Sequence, residues 1–350
     1  MIANRIAPRF KDRQMRAQAK PRRSKTKAPS RKQRGRSRIV SAGIPQSQNS
    51  IDFDAGGKTV HLTNLQKVFW PDLGITKRDL LQYYIDIAPV LLPHLADRAM
   101  VMKRYPNGVD GDFFFMKRAP SPRPEWIETC AIEHASGNVI EFPVVRDLAS
   151  LLWVINLGCI DLNPWYARCD DTDRPDYLHF DLDPVNGASW TQMLETADVV
   201  HEALTRLKLP TFIKTTGSRG FHIYVPIVRG PTQKEVWHFA KQFAINLAAL
   251  RSDLMTAEYR IAKRPQRRVL LDYNQNAWGR TLASIYSVRP QPQATVSAPI
   301  TWKELASGAR IEDFRIDNLP RRVKKVGDLW ARLLEEKGRA KLESFYAAAD

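Results

Sequence analysis

Residues 178–184, LHFDLDP, form a short run in which apolar and acidic side chains alternate. Because successive side chains of a β-strand point to opposite faces, Asp181 and Asp183 share one face and Phe180 and Leu182 share the other. Two carboxylates about 7 Å apart on a stiff strand repel each other at neutral pH unless a cation lies between them. The stretch therefore predicts a strand that carries a divalent metal site.

The segments that follow this strand predict the rest of the fold. Two capping boxes, SWTQ from Ser189 and TQKE from Thr232, each open an amphipathic helix. Residues 211–216 and 221–227 are predicted strands joined by the tight turn GSRG, and residues 268–273, RVLLDY, supply a fourth. The order β-α-β-β-α-β is the ferredoxin-like unit, in which both helices cover one face of a four-stranded sheet and the other face stays open. The predicted class is α+β.

This topology brings polar side chains of separate strands together. The first and third strands are central and the fourth lies beside the first, so Asp181, Asp183, His222 and Asp272 occupy neighbouring strands. Three carboxylates on an open sheet face suit two-metal phosphoryl transfer, although strand-edge or salt-bridged acids are the alternative. The alternating side chains predicted to face the helices are Phe180, Leu182, Phe221, Ile223, Val225 and Leu271.

The turn at residues 214–222, KTTGSRGFH, contains two glycines and has the size of a phosphate receptor. Its amides, the Ser218 hydroxyl and Arg219 can point at an anion, although a plain hairpin explains the glycines equally well. His222 follows directly and can donate to a nucleotide phosphate, or it can be a hydrogen-bonded structural histidine.

Residues 58–165 are predicted to form mixed strands and helices, with a helix from Thr76, its N-cap, to Val90. Within it, FFFMKR at 113–118 places aromatic rings beside cations. Alternation should bury at least one phenylalanine, but two adjacent ones cannot both be buried in a one-sided strand. An exposed ring beside Lys117 and Arg118 would stack on a nucleobase.

Charge is distributed unevenly along the chain. The 350 residues carry a formal net charge of +17, yet residues 1–50 contain 15 Lys and Arg against the single acid Asp12, which leaves the remainder nearly neutral. We expect residues 1–50 to be a disordered basic tail that attracts polyanions by counterion release. A solubilising extension and a mitochondrial presequence are the alternatives.

The three cysteines have no CxxC spacing, which predicts neither a zinc knuckle nor a disulfide framework and fits a reducing, cytoplasmic compartment. The most apolar run, residues 148–162, is shorter than a bilayer span and contains Asn156 and Asp161. It is therefore predicted to be core, and no membrane association is expected.

Several motifs from about residue 52 onwards occur in the order and spacing of one known family. They are LQKVFWPDLGITKRDLLQYY (65–84), KRYPNGVDGDFFFMKRAP (103–120), PDYLHFDLDP (175–184), KTTGSRGFHIYVPI (214–227), LLDYNQN (270–276) and ASIYSVRPQPQATVSAPITWKEL (283–305). On these motifs the chain resembles the polymerase domain of bacterial ligase D, of the archaeo-eukaryotic primase superfamily. The resemblance implies a primase-type domain over 52–345, divided into a DNA-end-binding subregion (52–170) and an RRM-like catalytic core (175–300).

The resemblance also implies roles for individual residues. Two catalytic ions, Mn²⁺ or Mg²⁺, would be bound by Asp181, Asp183 and Asp272. The incoming nucleotide would be held by Ser218, Arg219, His222 and Arg289, with weaker contacts from Lys103 and Arg104. A downstream 5′-phosphate would be held by Lys67 and Lys77, and the template would pack on Phe114 and Phe115. The chain departs from the family pattern at Asn163, where histidine is common, and at Arg219, where lysine is common.

What the resemblance implies for function is a stand-alone, metal-dependent nucleotidyltransferase of bacterial non-homologous end joining. It would extend a 3′-hydroxyl at DNA ends or gaps from NTP or dNTP, ribonucleotides included, in the cytoplasm at the nucleoid. We expect Ku and a separate DNA ligase as partners, because no ligase or phosphoesterase module fits within 350 residues. The alternatives are a plasmid- or mobile-element-type primase, and a catalytically silent DNA-end-binding scaffold.

Overall fold

The structure, a computed structural model, describes residues 43–346. Residues 1–42 of the predicted basic tail lie outside the described residues. The predicted end of the tail at residue 50 is wrong. Ile44 is buried, and its amide donates to Gln82 Oε1 at 3.0 Å. Ser50 already begins a strand paired with Thr63. Residues 43–50 therefore belong to the folded domain, because an apolar side chain anchors them there.

The N-terminal region combines short antiparallel sheets with two helices. β5 is the middle strand of a three-stranded sheet with β6 and β9, and the other strands form hairpin pairs. The first helix has the predicted cap, Thr76, and ends at Leu95, five residues beyond its predicted end. In chain order the elements are β1 (Ser50–Asp54), β2 (Thr59–Thr63), β3 (Val68–Trp70), β4 (Ile75–Thr76), α1 (Lys77–Leu95), β5 (Met100–Arg104), β6 (Phe114–Met116), β7 (Thr129–Glu133), β8 (Val139–Pro143), α2 (Leu148–Asn156), β9 (Cys159–Pro164), β10 (Ala167–Arg168) and β11 (Asp171–Pro175).

The C-terminal region contains the predicted β-α-β-β-α-β unit. Its elements are β12 (Tyr177–Pro184), α3 (Trp190–Arg206), β13 (Phe212–Thr215), β14 (Phe221–Pro226), α4 (Gln233–Leu250), β15 (Met255–Thr256), β16 (Val269–Asp272), β17 (Pro299–Ile300), α5 (Trp302–Ala306), α6 (Leu319–Val326) and α7 (Glu343–Tyr346). The sheet order is β15-β16-β12-β14-β13-β17, so β12 and β14 are central and β16 lies beside β12, as predicted. The α+β class is confirmed. The edge strands β15 and β17 were not predicted.

One face of this sheet packs against α3 and α4. The ring of Phe180 lies 4.9 Å from that of Phe243 on α4, and Phe221 lies 5.1 Å from Trp190 on α3, measured between ring centroids. Every side chain predicted to face the helices is fully buried. The core is contiguous across the two predicted subregions. Alternation along the strands therefore fixed the helix-facing side of the sheet correctly.

The opposite face is largely covered, which corrects the predicted open face. His179 and Lys214 are completely buried there, and His222 is nearly so. Over β13 the cover includes the segment 283–298, which accepts a hydrogen bond from the amide of Thr215, and the ring of His179 packs against Tyr166, 4.0 Å away between ring centroids. Only the end of the face that carries the acidic residues remains accessible.

The apolar run 148–162 forms α2 and most of β9 in the core, as predicted. Cys130, Cys159 and Cys169 are free thiols, which agrees with the absence of a disulfide framework. Between residues 43 and 346, no helix has the length and apolar character needed to span a membrane.

A buried ion pair joins the two regions. Arg98, in the turn before β5, donates two hydrogen bonds to the Asp176 carboxylate, at 2.6 and 2.8 Å, and both side chains are almost completely buried. Arg168 lies 3.0 Å from the same carboxylate, which also faces Arg339. Although burial alone would raise it, these cations hold the pKa of Asp176 below its usual value.

We expect Asp176→Asn to lower the free energy of unfolding by about 3–5 kcal/mol, because Arg98 would be left buried without a counter-charge. Urea unfolding followed by fluorescence measures this loss. The matched control is Asp170→Asn, which breaks the exposed pair with Arg229 and should change stability by less than about 1 kcal/mol. Equal losses in the two variants would show that burial of the Asp176 ion pair does not increase its contribution to the free energy of unfolding.

Candidate active site

The strand register brings the predicted acids together. Asp181 on β12 lies directly opposite His222 of β14 on one side and Asp272 of β16 on the other. Asp183 lies two residues further along β12 and points to the same face. Three strands therefore position these four side chains, and each strand is fixed by its helix-facing apolar residues.

Asp181 and Asp183 border a cleft of about 470 Å³ between the sheet and the N-terminal region. Most of the predicted nucleotide-binding residues reach it, together with several side chains that sequence reasoning did not assign. Asp272 itself does not line the cleft, but Gln275, which donates to its carboxylate, does. The lining includes Lys103, Phe115, Lys117, Asp161, Asn163, Thr216, Ser218, Arg219, His222, Gln275 and Arg289.

The surroundings of Asp181 and Asp183 disfavour the ionised form of each carboxyl group. Burial, followed by the charge of Asp272, raises the pKa of Asp181 to about 7. Burial, followed by the charge of Asp181, raises the pKa of Asp183 to about 7, although Arg219 lies 3.7 Å away. Oδ1 of Asp181 is buried and makes no aligned hydrogen bond within residues 43–346, even though His222 Nε2 is 3.2 Å away. Unpaired carboxylate oxygens at this point fit a divalent cation.

The third acid is held differently. Asp272 accepts a hydrogen bond from the Asn274 amide at 2.7 Å and one from Gln275 Nε2 at 3.2 Å. Across the described range 43–346, no three His, Cys, Asp or Glu side chains are grouped closely enough to form a ready-made metal cluster. The chemistry of the donors fits hard divalent ions, with Asp181 and Asp183 at the cleft and Asp272 on the adjacent strand.

The turn after β13 departs from its predicted role. Gly217 has a positive φ of 65°, and the amides of Ser218, Arg219 and Gly220 all point to Thr216 Oγ1, at 3.0, 3.0 and 3.1 Å. The prediction that these amides face an anion is wrong, because the threonine hydroxyl already binds them. The Ser218 and Arg219 side chains remain on the cleft.

This turn lies directly against β12, the strand that carries Asp181 and Asp183. At Gly220, an added Cβ would stand 1.8 Å from the Leu182 carbonyl oxygen and 3.0 Å from the Met193 methyl group. Leu182 separates the two acids in sequence. Only glycine therefore permits the turn to approach the strand between Asp181 and Asp183 this closely.

Arg289 is held at the cleft from two sides. Its Nε lies 3.0 Å from Asp161 Oδ1, and its Nη1 donates to the Thr216 carbonyl. Asp161 is buried on β9 and was not assigned a role from the sequence. The sequence signal that could have identified it is the position of an acid within the mostly apolar run 148–162.

Lys103 and Arg104, predicted together as nucleotide contacts, lie on opposite sides of β5. Lys103 lines the cleft, and its Nζ stands 4.0 Å from the centroid of the Phe113 ring. Arg104 points away, donates to the Leu157 carbonyl at 2.6 Å and stacks near Phe114. The assignment of Arg104 to the nucleotide is corrected, because alternation along the strand separates the two side chains.

The three phenylalanines of β6 and its approach are all exposed, by 51, 43 and 59% for Phe113, Phe114 and Phe115. The prediction that at least one of them is buried is therefore wrong. Phe115 borders the cleft, whereas Phe114 lies on the side of Arg104. Exposed rings on both sides of a short strand are available for stacking on bases.

A second cationic site lies where α1 begins. Lys77 is 4% exposed and donates to the Thr63 carbonyl at 2.7 Å, and Lys67 donates to Asn107 Oδ1 at 2.9 Å. Burial, then the charges of Lys67 and Arg104, lower the pKa of Lys77 to about 8. No carboxylate within residues 43–346 forms a salt bridge with these three cations. Clustered cations at a helix N-terminus are suited to a phosphate.

Comparison with known proteins gives consistent matches. The family described as LigD, primase-polymerase domain, matches residues 76–330. The multifunctional non-homologous end joining protein LigD of Mycolicibacterium smegmatis is 36% identical over 276 residues, covering 78% of this chain and 36% of the relative. The bifunctional LigD of Bacillus subtilis is 30% identical over 275 residues, covering 77% of this chain and 44% of the relative. The chain thus spans less than half of these relatives.

Among solved structures, the polymerase domain from Mycobacterium tuberculosis ligase D in complex with DNA superposes with a TM-score of 0.75 and 31% identity. The match covers 79% of this chain and 98% of that domain. The family match, the sequence relatives and the fold point to the same assignment. This chain belongs to the LigD primase-polymerase domain family.

Proposed function

We propose that this chain is a metal-dependent nucleotidyltransferase that extends a primer 3′-hydroxyl at DNA gaps and ends in bacterial non-homologous end joining. The observation that supports this most is the position of two groups of cationic side chains on either side of β5. Lys103 faces the cleft with the acid pair, and Arg104, the next residue, is close enough to Lys77 that, after burial and the charge of Lys67, its own charge lowers the pKa of that lysine. A gap presents two anions, the incoming triphosphate and the downstream 5′-phosphate.

In this proposal Asp181, Asp183 and Asp272 hold two divalent ions, manganese or magnesium. When bound, these ions supply positive charge that favours deprotonation of the primer hydroxyl and offsets charge on the leaving pyrophosphate. Arg219 and Arg289 face the cleft as charge-assisted donors for the triphosphate, and Arg289 is already oriented by Asp161. The primer oxygen bonds to the α-phosphorus as the bond to pyrophosphate breaks.

The remaining cleft residues orient the substrates. Ser218 and His222 are donors at the phosphate end, and Phe115 offers a ring to a template base or the nucleobase. The substrates we propose are NTP and dNTP, with ribonucleotides accepted. The partners we propose are Ku and a separate DNA ligase, at the nucleoid in the bacterial cytoplasm.

The test is nucleotide incorporation on a gapped duplex that carries either a 5′-phosphate or a 5′-hydroxyl on the downstream strand. We expect the phosphate to raise incorporation at subsaturating DNA by about 10-fold or more, which corresponds to about 1.4 kcal/mol of binding. Lys67→Ala should remove most of this advantage. Lys234→Ala, an exposed lysine on α4, is the matched control and should retain it.

Other outcomes would favour the other functions. Incorporation that does not depend on the phosphate, together with synthesis on unprimed single strands, would indicate a primase. Tight binding to DNA ends without any incorporation, under either metal, would indicate an end-binding scaffold.

A further inference from the structure

A completely buried lysine lies beneath the cleft. Lys214 on β13 is 0% exposed, and no salt bridge joins it to a carboxylate in the described residues. Its Nζ instead contacts His222 Nδ1 at 2.7 Å, the Ala283 carbonyl at 2.9 Å and Ser297 Oγ at 2.5 Å. A buried ammonium is costly unless each of its protons has an acceptor. The donor and acceptor at each of these three contacts must therefore be assigned.

The three contacts match the three protons of an ammonium group, which has no acceptor. The Ala283 carbonyl can only accept. Ser297 Oγ donates its own proton to the Thr215 carbonyl at 3.0 Å, so it too accepts from Lys214. Burial, then the charge of Arg289, lowers the pKa of Lys214, whereas the charges of Asp181 and Asp161 raise it. As an ammonium, Lys214 leaves its third proton for His222 Nδ1, which is then unprotonated; a neutral amine would instead accept a proton from Nδ1.

This assignment decides what His222 presents to the cleft. With Nδ1 accepting, a neutral imidazole carries its proton on Nε2, the nitrogen that stands 3.2 Å from Asp181 Oδ1. We propose that Lys214 is held as an ammonium by these three contacts and is a positioning residue that fixes His222 as the Nε2–H tautomer, so that the ring offers a donor to a nucleotide phosphate oxygen. The phosphate part of this inference rests on the proposed function; the tautomer does not.

The opposite tautomer would be unfavourable at this place. It would direct a nitrogen lone pair at the Asp181 carboxylate and at an incoming polyanion, and both would repel it. Lys214 also holds the segment 283–298 against the sheet through Ala283 and Ser297. Lys214 thereby sets both the tautomer of His222 and the position of the segment 283–298 over the sheet.

The first test reads the tautomer directly. The chain has seven histidines, so ¹⁵N-histidine labelling with a His222→Asn spectrum identifies the resonances of His222. We expect Nε2 protonated and Nδ1 unprotonated in the wild-type protein, without DNA or nucleotide. In Lys214→Met, we expect the proton to be shared between the two nitrogens. A wild-type proton on Nδ1 would overturn the inference, whatever the enzyme does.

The second test is a double-mutant cycle in single-nucleotide incorporation. Lys214→Met should lower kcat/KM for the nucleotide by about 10–100-fold in the wild-type background. In the His222→Asn background the same change should cost less than about 2-fold, because the residue it positions is gone. Equal losses in both backgrounds would overturn the positioning role.

Ser297→Ala serves as the structural control, since it removes one partner of Lys214 and leaves the contact with His222. It should keep the wild-type tautomer and lower kcat/KM by less than about 3-fold. A loss as large as that of Lys214→Met, with the tautomer unchanged, would assign the effect to packing and overturn the proposal. If Lys214→Met does not fold, Lys214→Gln keeps a donor near Nδ1 and should retain the wild-type tautomer.

Discussion

Asp183→Asn is expected to lower nucleotide incorporation by about 10³-fold or more and, in the presence of a chelator, to make the protein more stable. The loss of activity follows because an amide oxygen is a much weaker ligand than a carboxylate for hard divalent ions. A 10³-fold loss corresponds to about 4 kcal/mol of transition-state stabilisation. Binding of gapped DNA should remain within about 3-fold of wild type, because the proposed downstream-phosphate contacts, Lys67 and Lys77, are not among the residues that line the cleft with Asp183.

The gain in stability follows from the charge of the site. The pKa of Asp183 is raised to about 7 in the folded protein, above its unfolded value of about 3.9. A carboxyl group with a raised pKa destabilises the fold as it ionises, so the penalty grows from about pH 4 and is complete above about pH 7. Because the side chain is 32% exposed, we expect about 1–2 kcal/mol at pH 8, or several degrees in Tm.

Thermal unfolding in EDTA at pH 8 and pH 5 measures this effect. The advantage of Asp183→Asn should be clear at pH 8, smaller at pH 5, and reversed when excess Mn²⁺ is added, because only the wild type gains from the ion. The control is Asp173→Asn, at an exposed acid on β11. A variant less stable than wild type in EDTA at pH 8 would mean that Asp183 is structurally paired.

Gly220→Ala is expected to lower both stability and activity strongly, because among the glycines of residues 43–346 an added Cβ makes its closest approach to another atom here. The new Cβ would stand 1.8 Å from the Leu182 carbonyl oxygen, which is backbone and cannot rotate away. Either the turn or β12 must move, and we expect a loss of about 3 kcal/mol or more in the free energy of unfolding. A shift of about 1 Å at the acids would lower kcat by about 100-fold.

Urea unfolding and incorporation by the folded fraction measure the two effects separately. The matched control is Gly43→Ala, where the nearest atom to an added Cβ is the flexible end of Gln82 at 3.8 Å, and φ is not positive. Wild-type activity and stability in Gly220→Ala would contradict the close approach of the turn to β12.

The sequence predicted the elements whose signals are local. Alternation in residues 178–184 and the capping boxes at Ser189 and Thr232 gave the order of the sheet and its helix-facing side. The two-residue strands β15 and β17 could not be predicted, because alternation needs a longer run. The covering of the opposite face also has no local signal, since the segment 283–298 reaches it from elsewhere in the chain.

The predictions about individual site residues were right or wrong for similar reasons. The inward direction of the turn amides depends on Thr216, whose hydroxyl competes with any external anion, and glycine spacing does not reveal this. The opposite directions of Lys103 and Arg104 were available from alternation alone. The fixed tautomer of His222 needed atomic contacts, because Lys214 and Ser297 are far apart in sequence.

The two faces of β5 have a consequence for the gapped DNA proposed as the substrate. Lys103 and Arg104 are consecutive residues, so their Cα atoms are about 3.8 Å apart and cannot separate. In the proposed function, the nucleotide site and the downstream-phosphate site would therefore both be attached to one strand and not to two separate domains. Because this separation is fixed by the backbone of β5, it would limit the number of missing nucleotides that both sites can engage at once.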